Sequence, residues 1–241
     1  MRTTLDGVTP AQRNSFGQPV GPTLRDWQGA PFPDVAVLQG RWCRLEPLLA
    51  DHADELFDEL CGPDDTSLWT YLPREMPLDR ADFAQHVEAR AEATDSVTVV
   101  VRDGSGVAAG MLSLMRIDQA NGSVEVGWIV LGRRLQRTTA ATEAQFLLAR
   151  HVFSLGYRRY EWKCDALNEP SRRAAERLGF TYEGRFRNAL VYKGRSRDTD
   201  WFAIVDREWP GLAASYVAWL DPGNHVDGKQ LRSLGEIRAA G

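Results

Sequence analysis

The sequence predicts a mixed α/β (α+β) fold in which helices flank a mostly antiparallel central sheet. Three observations lead to this prediction. At 241 residues, 43% of them hydrophobic, the chain is long enough to bury a full core. Three β-rich runs joined by short turns occupy its middle, which is typical of an antiparallel meander. A stretch of loop, helix, strand and helix over 136–180 follows, and two further β-rich runs come after it.

Composition divides the chain into three parts. Residues 1–40 are rich in glycine, proline and polar residues, which resist regular structure. We expect an irregular N-terminal arm that Trp27 and Phe32 pin to the domain, or an arm that reaches another subunit. One domain is predicted over 41–207, and a C-terminal helix and tail over 208–241 are expected to pack on it.

The first half of that domain has regular patterns. Its predicted elements are a strand over 41–46, a helix over 51–60, an aromatic segment over 66–73, a helix over 79–93, and meander strands over 96–102, 107–117 and 123–130. Asp51 and Asp79 are suited to cap the two helices. Phe83 and Val87 face inward on the second helix, and Asp103-Gly104-Ser105-Gly106 is a strong hairpin signal.

The second half alternates helices and strands. Its predicted elements are a helix over 139–156, a strand over 159–166, a helix over 171–178, strands over 181–191 and 199–205, and a helix over 206–220. Tyr160, Trp162 and Cys164 lie on one face of their strand. The last two strands flank a turn at 193–198, the last helix is interrupted at 209–211, and the polar tail beyond it is expected to lie on the surface.

Charge and cysteine content restrict the function classes. The formal net charge of −4 argues against bulk nucleic-acid binding. Residues 51–95 carry thirteen acidic and three basic residues, whereas 131–200 carry fifteen basic and eight acidic ones. This asymmetry indicates either a solvated surface, or a basic half that receives an anionic cofactor and an acidic half that attracts a cationic acceptor.

No feature indicates a membrane, a secretory route or a metal. The three cysteines, Cys43, Cys61 and Cys164, form no CxxC motif and no even disulfide set, so we expect them to pack in a reducing cytoplasm. No apolar run reaches the ~18 residues of a membrane span, and the start of the chain does not resemble a signal peptide. The four histidines are scattered, so no metal site is predicted.

The stretch from Gln136 to Phe180 organises the chain. It opens on Gln136-Arg137-Thr138-Thr139-Ala140-Ala141, whose small side chains leave amides exposed at a helix start, where a pyrophosphate is favoured. This loop resembles the acyl-CoA loop, Q/R-x-x-G-x-G/A, of the GNAT superfamily of N-acetyltransferases. The following Ala141-Thr142-Glu143-Ala144 resembles the RimJ/RimL-like branch. Asn168-x-x-Ser171, with Leu178-Gly179-Phe180, is similar to the second CoA-side segment of the family.

The resemblance implies a GNAT fold over roughly 41–207, with a sheet splayed at the acyl-CoA site. Acetyl-CoA is the implied co-substrate, without a metal, although other acyl groups are open. The implied CoA contacts are Trp128, Ile129, Val130 and Leu131 at the pantetheine arm, Gln136, Arg137, Thr138, Thr139, Ala140, Ala141 and Thr142 at the pyrophosphate, and Asn168 and Ser171 beyond. One or two of Arg133, Arg134 and Arg137 are expected at the nucleotide end, unless they form only a solvated basic loop.

Two departures from the family pattern affect the site. Thr139 stands where the family has its first loop glycine, and a β-branched residue cannot easily take a positive φ, so the loop must use ordinary backbone space. A threonine hydroxyl of 138, 139 or 142 could then reach the pyrophosphate. Ala175 stands where many members carry a proton-donating tyrosine. The resemblance instead implies that Ser171 hydrogen-bonds the CoA sulfur and Asn168 the pantetheine amide, although both residues also suit a helix start.

Glu125 is the candidate general base. It interrupts an apolar strand, where members of the family often hold a glutamate that deprotonates the amine, but a buried structural carboxylate is the alternative. Trp69 and Tyr71 are implied to line the acceptor pocket or, alternatively, belong to the core.

The predicted reaction is direct attack of a primary amine on the acyl-CoA thioester, with Cys164 not needed. Expected acceptors are a peptide N-terminus, an amino-acid derivative or a small-molecule metabolite or antibiotic, with no nucleic acid and no membrane; a homodimer is compatible. The alternative is a non-catalytic CoA-binding or regulatory protein of the same fold. Hydrolase and P-loop chemistry lack their motifs, since neither G-x-S-x-G nor a phosphate-binding loop occurs.

Overall fold

The computed structural model describes residues 12–226 and 229–241, so 1–11 of the predicted arm and 227–228 of the predicted tail lie outside the described residues. The strands are β1 Gln12–Arg13, β2 Pro19–Val20, β3 Leu38–Gln39, β4 Cys43–Pro47, β5 Val97–Asp103, β6 Ala108–Asp118, β7 Ser123–Leu131, β8 Arg159–Asp165, β9 Thr181–Tyr192, β10 Arg195–Val205, β11 His225–Val226 and β12 Lys229–Gln230. The helices are α1 Ala53–Leu60, α2 Arg80–Ala91, α3 Thr139–Ser154, α4 Glu169–Leu178, α5 Trp209–Leu220 and α6 Leu234–Ala240.

Eight strands form one sheet in the order β3-β4-β5-β6-β7-β8-β10-β9. Every neighbouring pair in the described part of this sheet is antiparallel except β7 and β8, which run parallel. The crossover between these two strands contains α3. The predicted mixed, mostly antiparallel sheet is therefore confirmed, as is the meander, which is β5, β6 and β7.

The sheet opens between β7 and β8. The two strands pair only over Ser123–Val126 and Arg159–Trp162, and β7 then continues to Leu131 while β8 continues to Asp165. On its other side, β7 carries one extra residue opposite β6, and Trp128 in this bulge has a φ of 47°. Because a bulge bends its strand, it turns the end of β7 away from β8. This is the predicted splay.

Alternating side chains place two helical layers on the sheet. Val99 and Val101 of β5 join a core cluster with α3 and α5, whereas Val100 points the other way into a cluster with α1 and α2. Phe83 and Val87 are fully buried in that second cluster, as predicted. In the described chain, β8, β9 and β10 contribute no residue to this second cluster. The helices of that cluster, α1 and α2, therefore do not cover the same face of these three strands.

Helix starts were predicted with mixed success. The Asp79 carboxylate accepts a hydrogen bond from Asp82 N at 2.9 Å, which confirms that cap. Asp51 is not a cap, because a 3₁₀ turn over Ala50–His52 precedes α1 and contains it. His52 accepts from Leu49 N at 3.0 Å and closes that turn instead. Propensity alone does not distinguish a cap from a residue one turn inside.

The closing hairpin and the C-terminus also differ from expectation. The turn between β9 and β10 consists of Lys193 and Gly194, with φ values of 51° and 69°, so most of the predicted 193–198 turn is strand. The last predicted helix is not interrupted, since Pro210 lies in the first turn of α5, where proline is tolerated. A further helix, α6, follows and buries Leu234 in the main core.

The N-terminal arm contacts the sheet through Trp27. Its indole donates a hydrogen bond to Ala120 O at 2.8 Å and lies beside Arg158, with the guanidinium 5.5 Å from the ring. Gly122, in the β6–β7 turn, accommodates the ring because a Cβ there would come within 2.5 Å of it. These contacts support the predicted role of Trp27 in pinning the arm.

One buried carboxylate fixes α3 against the sheet edge. Glu143 accepts hydrogen bonds from the backbone amides of Arg41, Trp42 and Cys43 at 2.9, 2.6 and 2.9 Å. The three donors occupy the chain just before and at the start of β4. Glu143 therefore satisfies amides that the turn would otherwise leave unpaired, and it holds the start of α3 in place.

We expect Glu143→Gln to destabilise the protein by about 2–4 kcal/mol, because an amide replaces one acceptor oxygen by a donor facing buried amides. Denaturant unfolding measures the change. Glu88→Gln, an exposed change on α2, is the matched control and should leave the midpoint in place. Equal midpoints for both variants would show that Glu143 contributes no net stability.

Candidate active site

The start of α3 lies at the end of the loop that leaves β7. Thr138 is its N-cap: the hydroxyl accepts from Ala141 N at 3.2 Å and donates to Leu135 O at 2.7 Å. The amides of Thr139 and Ala140, in the first turn, have no acceptor within the helix. These amides, together with the helix dipole, favour an anion at this end of the opened sheet.

Threonine hydroxyls of this loop have separate roles. That of Thr138 is committed to the cap, and that of Thr142 is buried and accepts from Arg177 Nη2 at 2.8 Å. Thr139 is half-buried at the helix start, which makes it the best placed of the three to meet a pyrophosphate. Thr139 and Ala141 have helical backbone, and the left-handed residue of the loop is Arg137, with a φ of 60°. The expectation of ordinary backbone space at Thr139 is confirmed.

The basic residues before the helix differ in what they contact. Arg133 pairs with Asp65 at 2.9 Å, and Arg134 pairs with Glu59 at 3.3 Å and with Asp103 at 3.5 Å. The acidic partners are largely buried, whereas both arginines are exposed, so solvent still reaches these guanidinium groups. Within the described residues Arg137 has no ion pair.

The end of β7 is tied to the loop. Gln136 donates from its side chain to Leu131 O at 2.9 Å, which uses one carbonyl of the strand edge. Ile129 and Leu131 are half-buried and Val130 is buried beside the opening. The exposed backbone between these residues is the part of β7 that β8 leaves without a partner.

Asn168 and Ser171 lie at the start of α4, on the β8 side of the opening. The Asn168 side chain accepts from Ser171 N at 3.1 Å, so it is the N-cap of α4. The Ser171 hydroxyl accepts from Trp162 Nε1 at 3.0 Å, which fixes its oxygen, and it also hydrogen-bonds the Cys164 sulfur. Ala175, at the family's tyrosine position, is fully buried.

Glu125 lies in the floor of the sheet on the α2 side. It is 7% exposed, and its Oε2 is 2.9 Å from Lys163 Nζ and 3.5 Å from Arg116 Nε. Lys163 also pairs with Glu161 at 2.9 Å and sits 3.6 Å from the centre of the Trp201 ring. Burial raises the pKa of Glu125, although the Lys163 charge acts in the opposite direction. A carboxylate with a raised pKa is a better proton acceptor.

A cavity of about 700 Å³ lies between α2 and the β6–β7 pair. We call it the α2 cavity; its lining includes His86, Arg90, Met115, Arg116, Ile117 and Trp128. The Arg90 guanidinium lies 4.2 Å over the Trp128 ring, and the His86 ring is 5.1 Å from that ring. Burial, reinforced by the Arg90 charge, lowers the pKa of His86 to about 4, so this imidazole is neutral at pH 7.

The two aromatic residues of the 66–73 segment differ in burial. Trp69 is 0% exposed and donates from Nε1 to Leu60 O at 2.9 Å, which fits the core alternative. Tyr71 is half-buried and donates to Leu167 O at 3.1 Å, so it reaches the loop that leads to Asn168. Lys193, at the β9–β10 hairpin turn, pairs with Glu75 at 3.2 Å, so this turn lies close to the aromatic segment.

Sequence reasoning missed Arg90, His86 and Lys163. Arg90 could have been found, because it follows Phe83 and Val87 at helical spacing and therefore belongs to the inward stripe of α2. Lys163 is a charged residue two positions after Glu161 on the same face of β8. Nothing in the sequence indicates that this lysine meets Glu125, because that contact depends on the parallel pairing of β7 with β8.

Two candidate chemistries are not supported by the described residues. All three cysteines are buried, and burial raises the pKa of Cys61 to about 12 and that of Cys164 to about 11, which favours unreactive thiols. In the part of the chain that the structure describes, no group of three metal-ligating side chains comes together. No helix there has the length and apolarity to cross a membrane.

An opened parallel strand pair, with a helix start at its mouth and a carboxylate on its floor, is the architecture of the N-acetyltransferases that use acyl-CoA. The family model described as "Acetyltransferase (GNAT) domain" matches residues 43–181. The chain therefore belongs to the GNAT family of acetyltransferases, as the sequence predicted.

Individual relatives agree with this assignment. A crystal structure of a GCN5-related N-acetyltransferase from Brucella melitensis has a TM-score of 0.88 and 47% identity, over 90% of this chain and 100% of that one. YdaF of Bacillus subtilis, whose name proposes a ribosomal N-acetyltransferase, is 33% identical over 44% of this chain and 58% of its own length. RimL, a ribosomal L7/L12 acetyltransferase, shares the fold, with a TM-score of 0.63 and 21% identity over 71% of this chain and 94% of that one.

Proposed function

We propose that the protein transfers an acetyl group from acetyl-CoA to a primary amine, by direct attack of the amine on the thioester. The observation that carries the proposal is the arrangement of the opened β7–β8 pair, which separates the start of α3 from Glu125. A pyrophosphate at the free amides of Thr139 and Ala140 would direct the pantetheine arm into the opening. Its amides can pair with the strand edge at 129–131.

Residues on the two sides of the opening have complementary tasks. Glu125, on the α2 side, accepts the proton of the attacking amine, directly or through one water. Ser171, held by Trp162, donates to the sulfur as its negative charge develops. No covalent acyl-enzyme is needed.

The acceptor is an amine of modest basicity. An α-amine with a pKa near ~8 is about one tenth neutral at pH 7, whereas a lysine near ~10.4 is under ~0.1% neutral. A single carboxylate base suits the first class. The name of YdaF supports a ribosomal amine as one such acceptor, and the α-amine of a peptide, an amino-acid derivative or a small metabolite has the same chemistry.

Titration calorimetry with acetyl-CoA, succinyl-CoA and free CoA, followed by thiol release with an amine panel, tests the proposal. We expect micromolar binding of acetyl-CoA and turnover of α-amines. The alternative, a non-catalytic CoA-binding protein, draws on Thr139 and Ala175, which replace the family's glycine and tyrosine. Binding without turnover of any amine would favour that alternative, and no binding of any thioester would exclude the enzyme.

Ser171→Ala should lower kcat by roughly tenfold, the loss expected for one hydrogen-bond donor to a developing charge. Asn168 still caps α4 in this variant through the backbone amide of residue 171, so the fold should be retained. Single-turnover kinetics isolates the acyl-transfer step. Arg173→Gln, an exposed change on the same helix, is the control, and an unchanged rate in Ser171→Ala would leave Ser171 a purely structural role.

A further inference from the structure

Arg90 is the charged group of the α2 cavity without an acidic partner. Its Nη2 donates to Ser113 Oγ at 2.8 Å, and its Cζ lies 4.2 Å from the centre of the Trp128 ring, but no carboxylate in the described chain is within ion-pair distance. Its Nε is buried and has no hydrogen-bond partner there. A guanidinium carries five donors, so most of this one is unused.

The other charges of the cavity are already balanced. Arg74 forms two hydrogen bonds to the Asp82 carboxylate, at 2.9 and 3.0 Å, and Arg116 lies 3.5 Å from Glu125. Asp95, the acidic residue of the lining, is exposed and forms no ion pair with Arg90, although its charge acts on that guanidinium at longer range. Burial lowers the pKa of Arg90 to about 10, against the opposite effect of Asp95, which still leaves it charged at pH 7. Because burying an unpaired charge is costly, an anion beside Arg90 would be favourable in this cavity.

Arg90 lies over the same face of the sheet as the proposed base. Ser113, which holds Arg90, is the strand partner of Gly127, and the next pair on that face joins Met115 to Glu125. A Cβ at Gly127 would lie 3.2 Å from Glu125 Oε1 and 2.5 Å from Met115 Sδ. Same-face neighbours on adjacent strands are ~5–8 Å apart. The register therefore places Ser113, the strand residue that binds Arg90, and Glu125 at neighbouring same-face positions on adjacent strands.

We propose that the acceptor carries a carboxylate close to its amine, and that Arg90 binds this carboxylate while the amine faces Glu125. The inference rests on the proposed function and specifies its substrate class. Planar, two-pronged pairing suits guanidinium and carboxylate, and the Trp128 ring supports the guanidinium from one side. The anionic group has two sources, the free α-carboxylate of an amino acid or an acidic side chain at a peptide N-terminus.

The test compares matched acceptors with the wild type, Arg90→Gln and Arg80→Gln. L-Phenylalanine and L-phenylalaninamide form one pair, and dipeptides beginning with aspartate or asparagine form the other. The ratio of kcat/KM within each pair, compared between variants, cancels the intrinsic reactivity of the amines. Arg80 begins the same helix and is exposed, so Arg80→Gln controls for loss of charge on α2.

We expect Arg90→Gln to lower kcat/KM by about 30-fold or more for the carboxylate member of one pair, and by less than about threefold for its amide. The pair that responds identifies the source of the carboxylate. Equal losses on both members of both pairs, or no loss on any, would overturn the inference while leaving the acetyltransferase intact. If no amine is turned over, calorimetric titration with L-phenylalanine and with the aspartyl dipeptide tests the inference independently of the proposed reaction. Binding of either compound to the wild type, and its loss in Arg90→Gln, would support the carboxylate site. Absence of binding of both compounds to the wild type would overturn it.

Discussion

Glu125→Gln should lower kcat by about 100-fold or more, while the affinity for acetyl-CoA stays within about twofold. The amide keeps the shape of the side chain but accepts a proton poorly. The cofactor contacts proposed above lie at the start of α3 and along the end of β7, away from the carboxylate, so binding should not change. Steady-state kinetics and calorimetry measure the two quantities independently.

The pH profile adds a second readout. Because burial raises the pKa of Glu125, the wild-type kcat/KM should fall as pH decreases through a value above the ordinary range of glutamate. This limb should disappear in Glu125→Gln, leaving the titration of the acceptor amine. Glu161→Gln is the matched control and should keep this limb at a lower pH, since Glu161 shares Lys163 at 2.9 Å and its charge contributes to the raised pKa of Glu125. Parallel losses of kcat and of CoA affinity in Glu125→Gln would make Glu125 a structural carboxylate.

Thr139→Asp should weaken binding of CoA by about 30-fold or more without destabilising the fold. An acidic residue in the first turn of a helix is favourable for the helix itself. The same charge would face the pyrophosphate and oppose it at close range, at a cost of about 2–3 kcal/mol. Calorimetry gives the affinity, and thermal unfolding gives the stability.

Thr139→Asn is the neutral counterpart, with nearly the same shape and no charge. We expect its CoA affinity to remain within about fivefold of the wild type. If the aspartate and asparagine variants bind CoA equally well, the pyrophosphate is held elsewhere, and the role assigned to the α3 start is wrong. A lowered melting temperature in the aspartate variant alone would contradict the helix-dipole argument.

Much of the fold can be predicted from local patterns, because residues close together in the sequence determine these elements. The stripe of Phe83 and Val87 and the cap at Asp79 specify α2 without reference to the rest of the chain. The two-residue turn at Lys193-Gly194 was missed, since five polar residues and one glycine over 193–198 obscure which pair takes positive φ. Asp51 was misplaced as a cap because propensity does not distinguish a cap from a residue one turn inside.

The candidate site is less accessible from sequence, because its contacts join distant segments. Position and polarity single out Glu125, but its partner Lys163 comes from the strand beyond the crossover. Arg134 was expected at the nucleotide, yet its contacts with Glu59 and Asp103 arise only once α1 and β5 pack beside the loop. The role proposed for Arg90 cannot be inferred from sequence, because it depends on the other residues that line the α2 cavity.

The parallel joint between β7 and β8 makes the sheet two plates connected by a short seam. Five strands lie on one side and three on the other, and four paired residues from each strand join them. A continuous ladder stiffens a sheet along its whole width, whereas here bending concentrates at one line. A pantetheine arm in the opening would extend that ladder with its own amides. The co-substrate would then complete the hydrogen-bonded ladder between the two plates. Glu125 lies on one plate and Ser171 beside the other, so their relative position would become fixed only when the co-substrate is bound.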